Sequence, residues 1–210
     1  MVATLDPALA AKIDALDAGL RQLGNTVIAF SGGADSAFLA ATARRVLGAE
    51  RAHCVTAVSP SLAGDEERDC RALAQEWDLR WTPVITHEME RAAYRLNDTD
   101  RCFHCKAELM DVVGPIAKAD GATIVLGVNI DDLGDHRPGQ QAAEQAGAVF
   151  PLVDAGFTKS DVRAASAYLG LRTHDKPAAA CLASRIPYGT EVSVGILSRV
   201  DRAEAALHRL

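Results

Sequence analysis

Apolar positions along the chain follow two different spacings. Between Pro7 and Leu23, leucines and an isoleucine recur every three or four residues, which is typical of one face of an amphipathic α-helix. Asp6 supplies an N-cap, and Pro7 suits the first helical position. Elsewhere, short continuous apolar runs containing β-branched residues indicate buried strands. These runs lie at 26–30, 52–58, 81–85 and 123–126.

Helical spacing returns between and after these runs. It predicts helices at 37–47, 65–77, 88–96, 103–119 and 159–169, with a polar break at 97–101. Strands that alternate with helices imply right-handed crossovers and a parallel sheet. We therefore predict an α/β, Rossmann-like fold with a parallel sheet and helices on both faces. Residues 127–139, rich in Asp and Gly, are predicted to form a loop.

The C-terminal part follows a different pattern. Residues 176–189 are punctuated by proline and glycine, which predicts an ordered loop, and apolar residues then recur at helical spacing over 193–210. We predict one domain over 1–171 and a loop-and-helix extension over 172–210. An amphipathic helix needs a cover for its apolar face, which either the domain or further sequence would supply.

Composition narrows the class of protein. The 210 residues are 49% hydrophobic but only 5% aromatic, which favours an aliphatic core of the kind found in helix-covered parallel sheets. A net charge of -6 argues against a nucleic-acid partner bound through many phosphates, but it is compatible with small anionic ligands. We expect a soluble, cytoplasmic protein with no membrane partner, because no apolar run approaches about 18 residues and the N-terminus lacks a basic segment followed by an apolar run.

Five cysteines in a chain without a secretory signal argue against a disulfide framework. Cys54 and Cys70 fall in a predicted strand and a predicted helix, and we interpret them as core residues.

Cys102 and Cys105 form a lone C-x-x-C pair, and Cys181 lies in the predicted loop. Such a pair is typical of a metal half-site or a redox pair, and it also occurs by chance. Three thiolates could hold a [4Fe–4S] cluster with one open iron, or His104 could complete a zinc site.

A glycine-rich loop, Ser31-Gly-Gly-Ala-Asp-Ser36, joins the first strand to a helix. Its glycines let backbone N–H groups approach an anion at the helix N-terminus, and the two serine hydroxyls add donors. Asp35 would repel phosphate unless Mg²⁺ lay between them. The loop lacks the Gly-Lys-Ser/Thr ending of the Walker type, which argues against γ-phosphate transfer. We predict a phosphate site formed by Ser31, Gly32, Gly33, Asp35 and Ser36.

This loop resembles the SGGxDS pyrophosphate loop of the N-type ATP pyrophosphatases, which cleave ATP between the α and β phosphates. In an open α/β sheet the nucleotide lies across the carboxyl ends of the strands. We predict further nucleotide contacts from Ser59, Gly127, Asn129 and Asp132. Nearby lie Asp131, Asp135 and Arg137, which either face the ligand or belong to a solvated loop.

Four segments together resemble one family, the LarE-type ATP-dependent sulfur transferases, which take part in maturing the nickel-pincer nucleotide cofactor of lactate racemase. They are residues 31–36, the RCxxCK run 101–106, 127–132 with 137–139, and 176–189. The resemblance covers nearly the whole chain. It implies the adenine nucleotide alpha hydrolase-like (PP-loop) version of the fold, ATP and Mg²⁺ as cofactors, a small-molecule nucleotide substrate and a homo-oligomer.

The resemblance also implies a two-stage reaction. A carboxylate of a pyridinium dicarboxylate mononucleotide would attack the α-phosphate of ATP, and Cys181 would then displace AMP and give up its sulfur as a thiocarboxylate. In the other version known in the family, Cys102, Cys105 and Cys181 hold an iron–sulfur cluster that carries the sulfide. Asp35 would act through Mg²⁺. Arg185 either stabilises a thiolate or a substrate phosphate, or forms a surface salt bridge.

Family members continue past the position of Leu210 with a segment that supplies basic residues for the substrate phosphate and contacts for oligomerisation. We therefore expect this polypeptide to bind ATP and to lack part of the acceptor site.

Other functions are compatible with the phosphate loop alone. An ammonia-using NAD or GMP synthetase would have no use for the three cysteines. A tRNA-thiolating enzyme would need a basic face, and a deazapurine nitrile synthase would normally carry four cysteines around zinc. A nucleotide-binding module without chemistry would bind ATP and release no pyrophosphate.

Overall fold

Four parallel strands form the central sheet of the computed structural model, which describes residues 5–133 and 138–209. The strands are β1 (Thr26–Ala29), β2 (Ala52–Val58), β3 (Arg80–Ile85) and β4 (Thr123–Leu126), in the order β3-β2-β1-β4. Thr26 pairs with Ala52 on one side and with Thr123 on the other. Because β1 is central, the loop that follows it leaves the sheet between two neighbouring strand ends.

Nine α-helices surround the sheet in the described part of the chain. They are α1 (Pro7–Leu23), α2 (Ala34–Leu47), α3 (Gly64–Glu76), α4 (Ala92–Arg95), α5 (Arg101–Asp120), α6 (Pro138–Gln145), α7 (Pro151–Asp154), α8 (Lys159–Tyr168) and α9 (Val194–Leu207). Short 3₁₀ turns lie at Ala49–Arg51, Glu88–Glu90, Ile130–Asp132 and Leu182–Arg185. The Asp6 side chain accepts a hydrogen bond from the Ala8 N–H at 3.1 Å, as an N-cap should. No helix among the described residues is both long and apolar enough to cross a membrane.

The core lies on both faces of the sheet, as predicted. Successive residues of a strand point to opposite faces, so Ile28 joins the cluster that contains Phe38 while Val27 joins the one that contains Val113. Cys54 and Cys70 are buried in the first cluster, which confirms them as core residues. Burial raises the pKa of the Cys54 thiol to about 12 and that of Cys70 to about 11.

The predicted strands and parallel topology are confirmed, but some boundaries and elements differ. The helix after the phosphate loop begins at Ala34, so Asp35 and Ser36 lie in its first turn. The prediction of a loop over 127–139 was wrong in part, because a 3₁₀ turn covers Ile130–Asp132 and α6 begins at Pro138. Helices α6 and α7 were not predicted. Only Ala142 and Ala143 of α6 are buried, so this helix carries little apolar periodicity.

Helix α9 packs on the part of the chain that carries Cys181. Leu197 is fully buried in a cluster with Tyr94, Leu182, Ala183, Ile186 and Val192. Asp201 accepts a hydrogen bond from the Gly64 N–H at the start of α3, at 3.1 Å. At Leu197 the cover for this amphipathic helix therefore comes from the domain itself, whereas Val194 and Leu207 are exposed.

We expect Leu197→Ala to lower the free energy of unfolding by about 2–5 kcal/mol, because it leaves a cavity in this cluster. Leu207→Ala, on the same helix but 66% exposed, should change it by less than about 0.5 kcal/mol. Urea denaturation followed by circular dichroism measures both variants. Equal effects would show that α9 is not anchored through Leu197.

Candidate active site

The phosphate loop follows β1 and ends in the first turn of α2. The Ser31 N–H donates to Ser36 Oγ at 3.2 Å, and Ser36 Oγ lies 3.0 Å from Ser31 Oγ and 3.1 Å from the Gly33 carbonyl oxygen. Gly32 has a φ of +70°, a left-handed conformation that glycine adopts without strain. The loop is thus held by its own hydroxyls at the N-terminus of a helix of 14 residues, where an anion is favoured.

Gly127, immediately after β4, touches the backbone of this loop. A Cβ atom built on Gly127 would lie 2.7 Å from the Ser36 nitrogen and 2.8 Å from the Asp35 carbonyl carbon. Both neighbours are backbone atoms, so they cannot move aside as a flexible side chain could. Only glycine allows the end of β4 to approach the loop this closely.

Asp35 faces the cavity with both carboxylate oxygens engaged. Oδ1 accepts a hydrogen bond from Asn129 Nδ2 at 3.2 Å, and Oδ2 forms an ion pair with Lys159 Nζ. Lys159 is the first residue of α8, and sequence reasoning missed it because it lies 124 residues from Asp35 and follows the unpredicted α7. A cation thus reaches the loop without a Walker-type lysine.

A cavity of about 370 Å³ opens at the carboxyl ends of the strands, within the size range of small-molecule sites. Eight of the predicted site residues line it. They are Ser31, Gly33, Asp35, Ser36, Ser59, Gly127, Cys105 and Cys181. The phosphate loop and residues 176–189, the cysteine-bearing loop that contains Cys181, therefore meet in one cavity, although about 150 residues separate them in sequence.

The three candidate cysteines differ in their relation to the cavity. Cys105 and Cys181 line the cavity, whereas Cys102 is not among the lining residues; Cys102 and Cys181 are both exposed. In the ranges 5–133 and 138–209, no three His, Cys, Asp or Glu side chains are grouped to hold a metal ion. His104, the other candidate ligand, contacts Asp100 at 3.1 Å.

Burial and charge set the chemistry of the C-x-x-C end of the cavity. Burial, reinforced by the negative charge of Glu88, raises the pKa of Cys105 to about 12, although Lys106 acts in the opposite direction. Burial also lowers the pKa of Lys106. Both residues, with Glu88, line the cavity.

Two polar junctions hold the cysteine-bearing loop. Asn97, fully buried and in the left-handed region with a φ of 57°, donates from Nδ2 to the carbonyl oxygens of Pro187 and Thr190 at 2.9 and 3.0 Å. Arg101 donates to Asn97 Oδ1 and to the Ala183 carbonyl oxygen. The polar break that precedes α5 is therefore the anchor for the loop.

Lys176 forms the second junction. Its Nζ donates to Glu66 and Asp69 of α3, both at 2.7 Å, and to the Gly32 carbonyl oxygen at 3.1 Å. This one ammonium group joins the cysteine-bearing loop directly to the phosphate loop. Sequence reasoning placed Lys176 in the loop motif and assigned it no contact.

The remaining predicted site residues lie beside the cavity and do not line it. The Gly32 carbonyl oxygen accepts a hydrogen bond from Lys176 Nζ. The Asn129 N–H donates to Asp132 Oδ2 at 3.1 Å, and this contact caps the 3₁₀ turn that follows β4. Asp131 accepts from the Lys159 N–H at 2.8 Å. Arg185 pairs with Glu204 of α9 at 2.5 Å and donates to the Ala180 carbonyl oxygen at 2.8 Å. Of the two roles considered for Arg185 in the sequence analysis, this contact is the surface salt bridge. Asp135 and Arg137 lie outside the described residues.

Comparison with known proteins agrees with this geometry. The NAD synthase family model matches residues 12–108. The uncharacterized protein slr1717 of Synechocystis is 45% identical over 203 residues, which cover 96% of this chain and 75% of that protein. Pyridinium-3,5-bisthiocarboxylic acid mononucleotide synthase of Lactiplantibacillus plantarum is 33% identical over 203 residues, or 96% of this chain and 74% of that enzyme. The NH3-dependent NAD synthetase of Campylobacter jejuni has a similar fold, with a TM-score of 0.64 at 17% identity over 98% of this chain and 89% of that one.

The fold and the phosphate loop define a PP-loop protein of the N-type ATP pyrophosphatase class. Within that class, the relative at 33% identity places the chain in a particular family. The chain belongs to the LarE family, that of the pyridinium-3,5-bisthiocarboxylic acid mononucleotide synthase.

We expect Gly127→Ala to weaken ATP binding at least about tenfold and to destabilise the fold by about 1–3 kcal/mol, because the added methyl group would push β4 away from the phosphate loop. Isothermal titration with a non-hydrolysable ATP analogue measures the affinity. Gly19→Ala is the matched control, since nothing lies within 4 Å of a Cβ at that position in α1. Unchanged affinity in Gly127→Ala would contradict the role given to this close approach.

The Lys176 junction predicts a pH dependence. Burial alone would raise the pKa of Asp69, but Lys176 and Arg172 outweigh it and hold the pKa below its ordinary value of 3.8. A lowered carboxyl pKa adds stability that is present above the ordinary pKa and is lost as the pH falls through the folded-state value. We expect Lys176→Met to cost about 1–3 kcal/mol near neutral pH and clearly less near about pH 3, where the carboxylates are increasingly protonated.

Chemical denaturation of Lys176→Met at both pH values measures this difference. Lys118→Met, an exposed lysine in the last turn of α5, should show a small and pH-independent effect. A cost for Lys176→Met that did not change with pH would argue against the ion pair with Asp69 and Glu66.

Proposed function

We propose that this protein is an ATP-dependent sulfur transferase that adenylates a carboxylate of a pyridinium dicarboxylate mononucleotide and converts it to a thiocarboxylate. The observation that carries the proposal is the single cavity shared by the phosphate loop and Cys181. Support also comes from the relative at 33% identity, whose name states that it makes pyridinium-3,5-bisthiocarboxylic acid mononucleotide.

The first stage uses the phosphate-loop side of the cavity. MgATP binds as a substrate with its phosphates against the backbone N–H groups of the loop at the start of α2. Asp35 supplies a hard carboxylate oxygen of the kind that Mg²⁺ prefers, and Lys159 balances its charge. The acceptor carboxylate oxygen attacks the α-phosphorus, the bond to the β-phosphate oxygen breaks, and pyrophosphate leaves. The loop favours this step because its donors face the charge on the departing phosphates.

The second stage uses the cysteine side. The Cys181 thiolate attacks the carbonyl carbon of the acyl-adenylate, and AMP leaves with the electron pair of the broken C–O bond. A base then removes the Cα proton of residue 181, the Cβ–Sγ bond breaks, and the sulfur departs on the acceptor as a thiocarboxylate. Dehydroalanine remains at position 181, so each chain transfers one sulfur atom. Arg185, which donates to the Cys181 carbonyl oxygen at 3.3 Å, helps to position this loop.

The placement of the cysteines supports Cys181 itself as the sulfur source over a cluster-bound sulfide. Cys181 lines the cavity, and the exposed Cys102 does not. The sacrificial route requires only Cys181, whereas the cluster route requires all three thiolates. Variants of Cys181 and Cys102 therefore separate the two routes.

We expect Cys181→Ala to lower thiocarboxylate formation by at least about 1000-fold while acceptor-dependent pyrophosphate release continues, because adenylation precedes the use of sulfur. Cys102→Ser is the matched control and should transfer sulfur at the wild-type yield. Product analysis by mass spectrometry, together with a pyrophosphate assay, measures both stages. The wild-type chain should lose the mass of H₂S at Cys181 after one turnover.

Each other outcome has a distinct meaning. Sulfur transfer that persists in Cys181→Ala would overturn Cys181 as the sulfur source. Amide formation from ammonia, unchanged by Cys181→Ala, would overturn the proposal and favour an amidating synthetase. Loss of transfer in Cys102→Ser, with iron and sulfide in anaerobically purified protein, would establish the cluster route. ATP binding without any pyrophosphate release would indicate a nucleotide-binding module.

A further inference from the structure

Glu88 is a buried carboxylate that the two stages above leave without a role. It lies in the 3₁₀ turn after β3, is 2% exposed and lines the cavity. One of its oxygens accepts a hydrogen bond from Ser59 Oγ, while Oε2 is buried with no hydrogen-bond partner. Leaving a buried carboxylate oxygen unpaired is costly, and such a group calls for an explanation.

A half-buried cation lines the same cavity. Lys106 on α5 lines the cavity, and among the described residues no side-chain hydrogen bond acts on its ammonium group. Arg91, the other nearby cation, is already engaged by Glu108 and Asp111 at 2.7 and 2.5 Å. The cavity wall therefore carries one carboxylate and one ammonium group that do not pair with each other.

The position of these two charges relates them to the sulfur chemistry. Glu88 and Lys106 both act electrostatically on the Cys105 thiol, which lines the cavity together with Cys181. A ligand that met both charges would thus lie on the cysteine side of the cavity, away from the phosphate loop.

The two charges select a ligand by its chemistry. Glu88 can accept hydrogen bonds or attract a cation, and Lys106 can bind an anion. A polyphosphate nucleotide offers Lys106 an anion but brings no positive charge for Glu88. A rigid ring that carries both a positive charge and a carboxylate satisfies both residues at once.

We propose that Glu88 and Lys106 form the acceptor-ring subsite, in which Glu88 pairs with the positive charge of an N-substituted pyridinium ring and Lys106 binds a ring carboxylate. Glu88 then determines specificity for a charged ring over a neutral one. This inference rests on the proposed function, because that function supplies a pyridinium carboxylate as the acceptor.

The test changes the charge at residue 88 and the charge of the ligand ring separately, and it measures the affinity for each combination. Binding to Cys181→Ala protein is titrated with two probes, the pyridinium-3,5-dicarboxylate mononucleotide and its C-nucleoside analogue, in which carbon replaces the ring nitrogen. The protein with Glu88 should bind the charged ring at least about tenfold more tightly, and adding Glu88→Gln should abolish that preference. Lys106→Met should weaken the binding of both probes, since both probes keep the ring carboxylates.

Glu90→Gln is the matched control, because Glu90 lies on the same turn with its side chain 79% exposed and pairs with His87. It should leave both affinities unchanged, and the affinity for ATP should be the same in all variants. An equal preference for the charged ring with and without Glu88 would overturn the inference. A loss of affinity in Glu88→Gln that is confined to ATP would also overturn it, because that result would place Glu88 against the ribose hydroxyls.

The design also separates this inference from the proposed function. If wild-type protein neither binds the pyridinium dicarboxylate nor releases pyrophosphate with it, the proposed function fails. If it does both, and Glu88→Gln does both equally well, the function stands and the assignment of Glu88 fails. Should Glu88→Gln not fold, the comparison of the two probes on protein that retains Glu88 still tests the subsite, because equal binding of both would overturn it.

Discussion

The backbone of Gly127 lies against the first turn of α2, and the location of the cavity depends on this approach. A Cβ there would come within 2.9 Å of three backbone atoms of Asp35 and Ser36, so the end of β4 and the first turn of α2 meet backbone to backbone. Because no side chain separates them, the phosphate loop lies at the crevice between the carboxyl ends of β1 and β4. This is the point at which the strand order reverses. The N–H groups at the start of α2 then face the cavity.

The second half of the site is held by polar contacts. The segment that carries Cys181 contains only a short 3₁₀ turn, so few of its backbone groups are satisfied by secondary structure. Asn97 and Arg101 bind its carbonyl oxygens from one side, and Lys176 ties it to α3 and to the Gly32 carbonyl from the other. The apolar contribution comes from Leu182 and Leu197, which pack against Tyr94. Cys181 can then lie at a defined place on an exposed loop.

Charge is distributed unevenly over the cavity. On the phosphate side, Asp35 is neutralised by Lys159, so the loop can accept a nucleotide without a net repulsive carboxylate. On the cysteine side, Glu88 and Lys106 do not pair with each other, and burial leaves Glu88 Oε2 without a partner. This contrast suits a reaction with one polyanionic substrate and one acceptor that carries charges of both signs.

The sequence by itself determined the parallel α/β fold, the phosphate loop, the core positions of Cys54 and Cys70 and the family, because each is recorded in local spacing or in a contiguous motif. Helices α6 and α7 escaped prediction, since short helices with few buried residues leave little periodicity. Only the tertiary structure brought Lys159 to Asp35 across 124 residues, joined Lys176 to Gly32 across 144, and placed Cys102 outside the cavity that Cys105 and Cys181 line. Such pairings depend on which strand ends and loops meet in space, and the spacing of residues along one element carries no record of that.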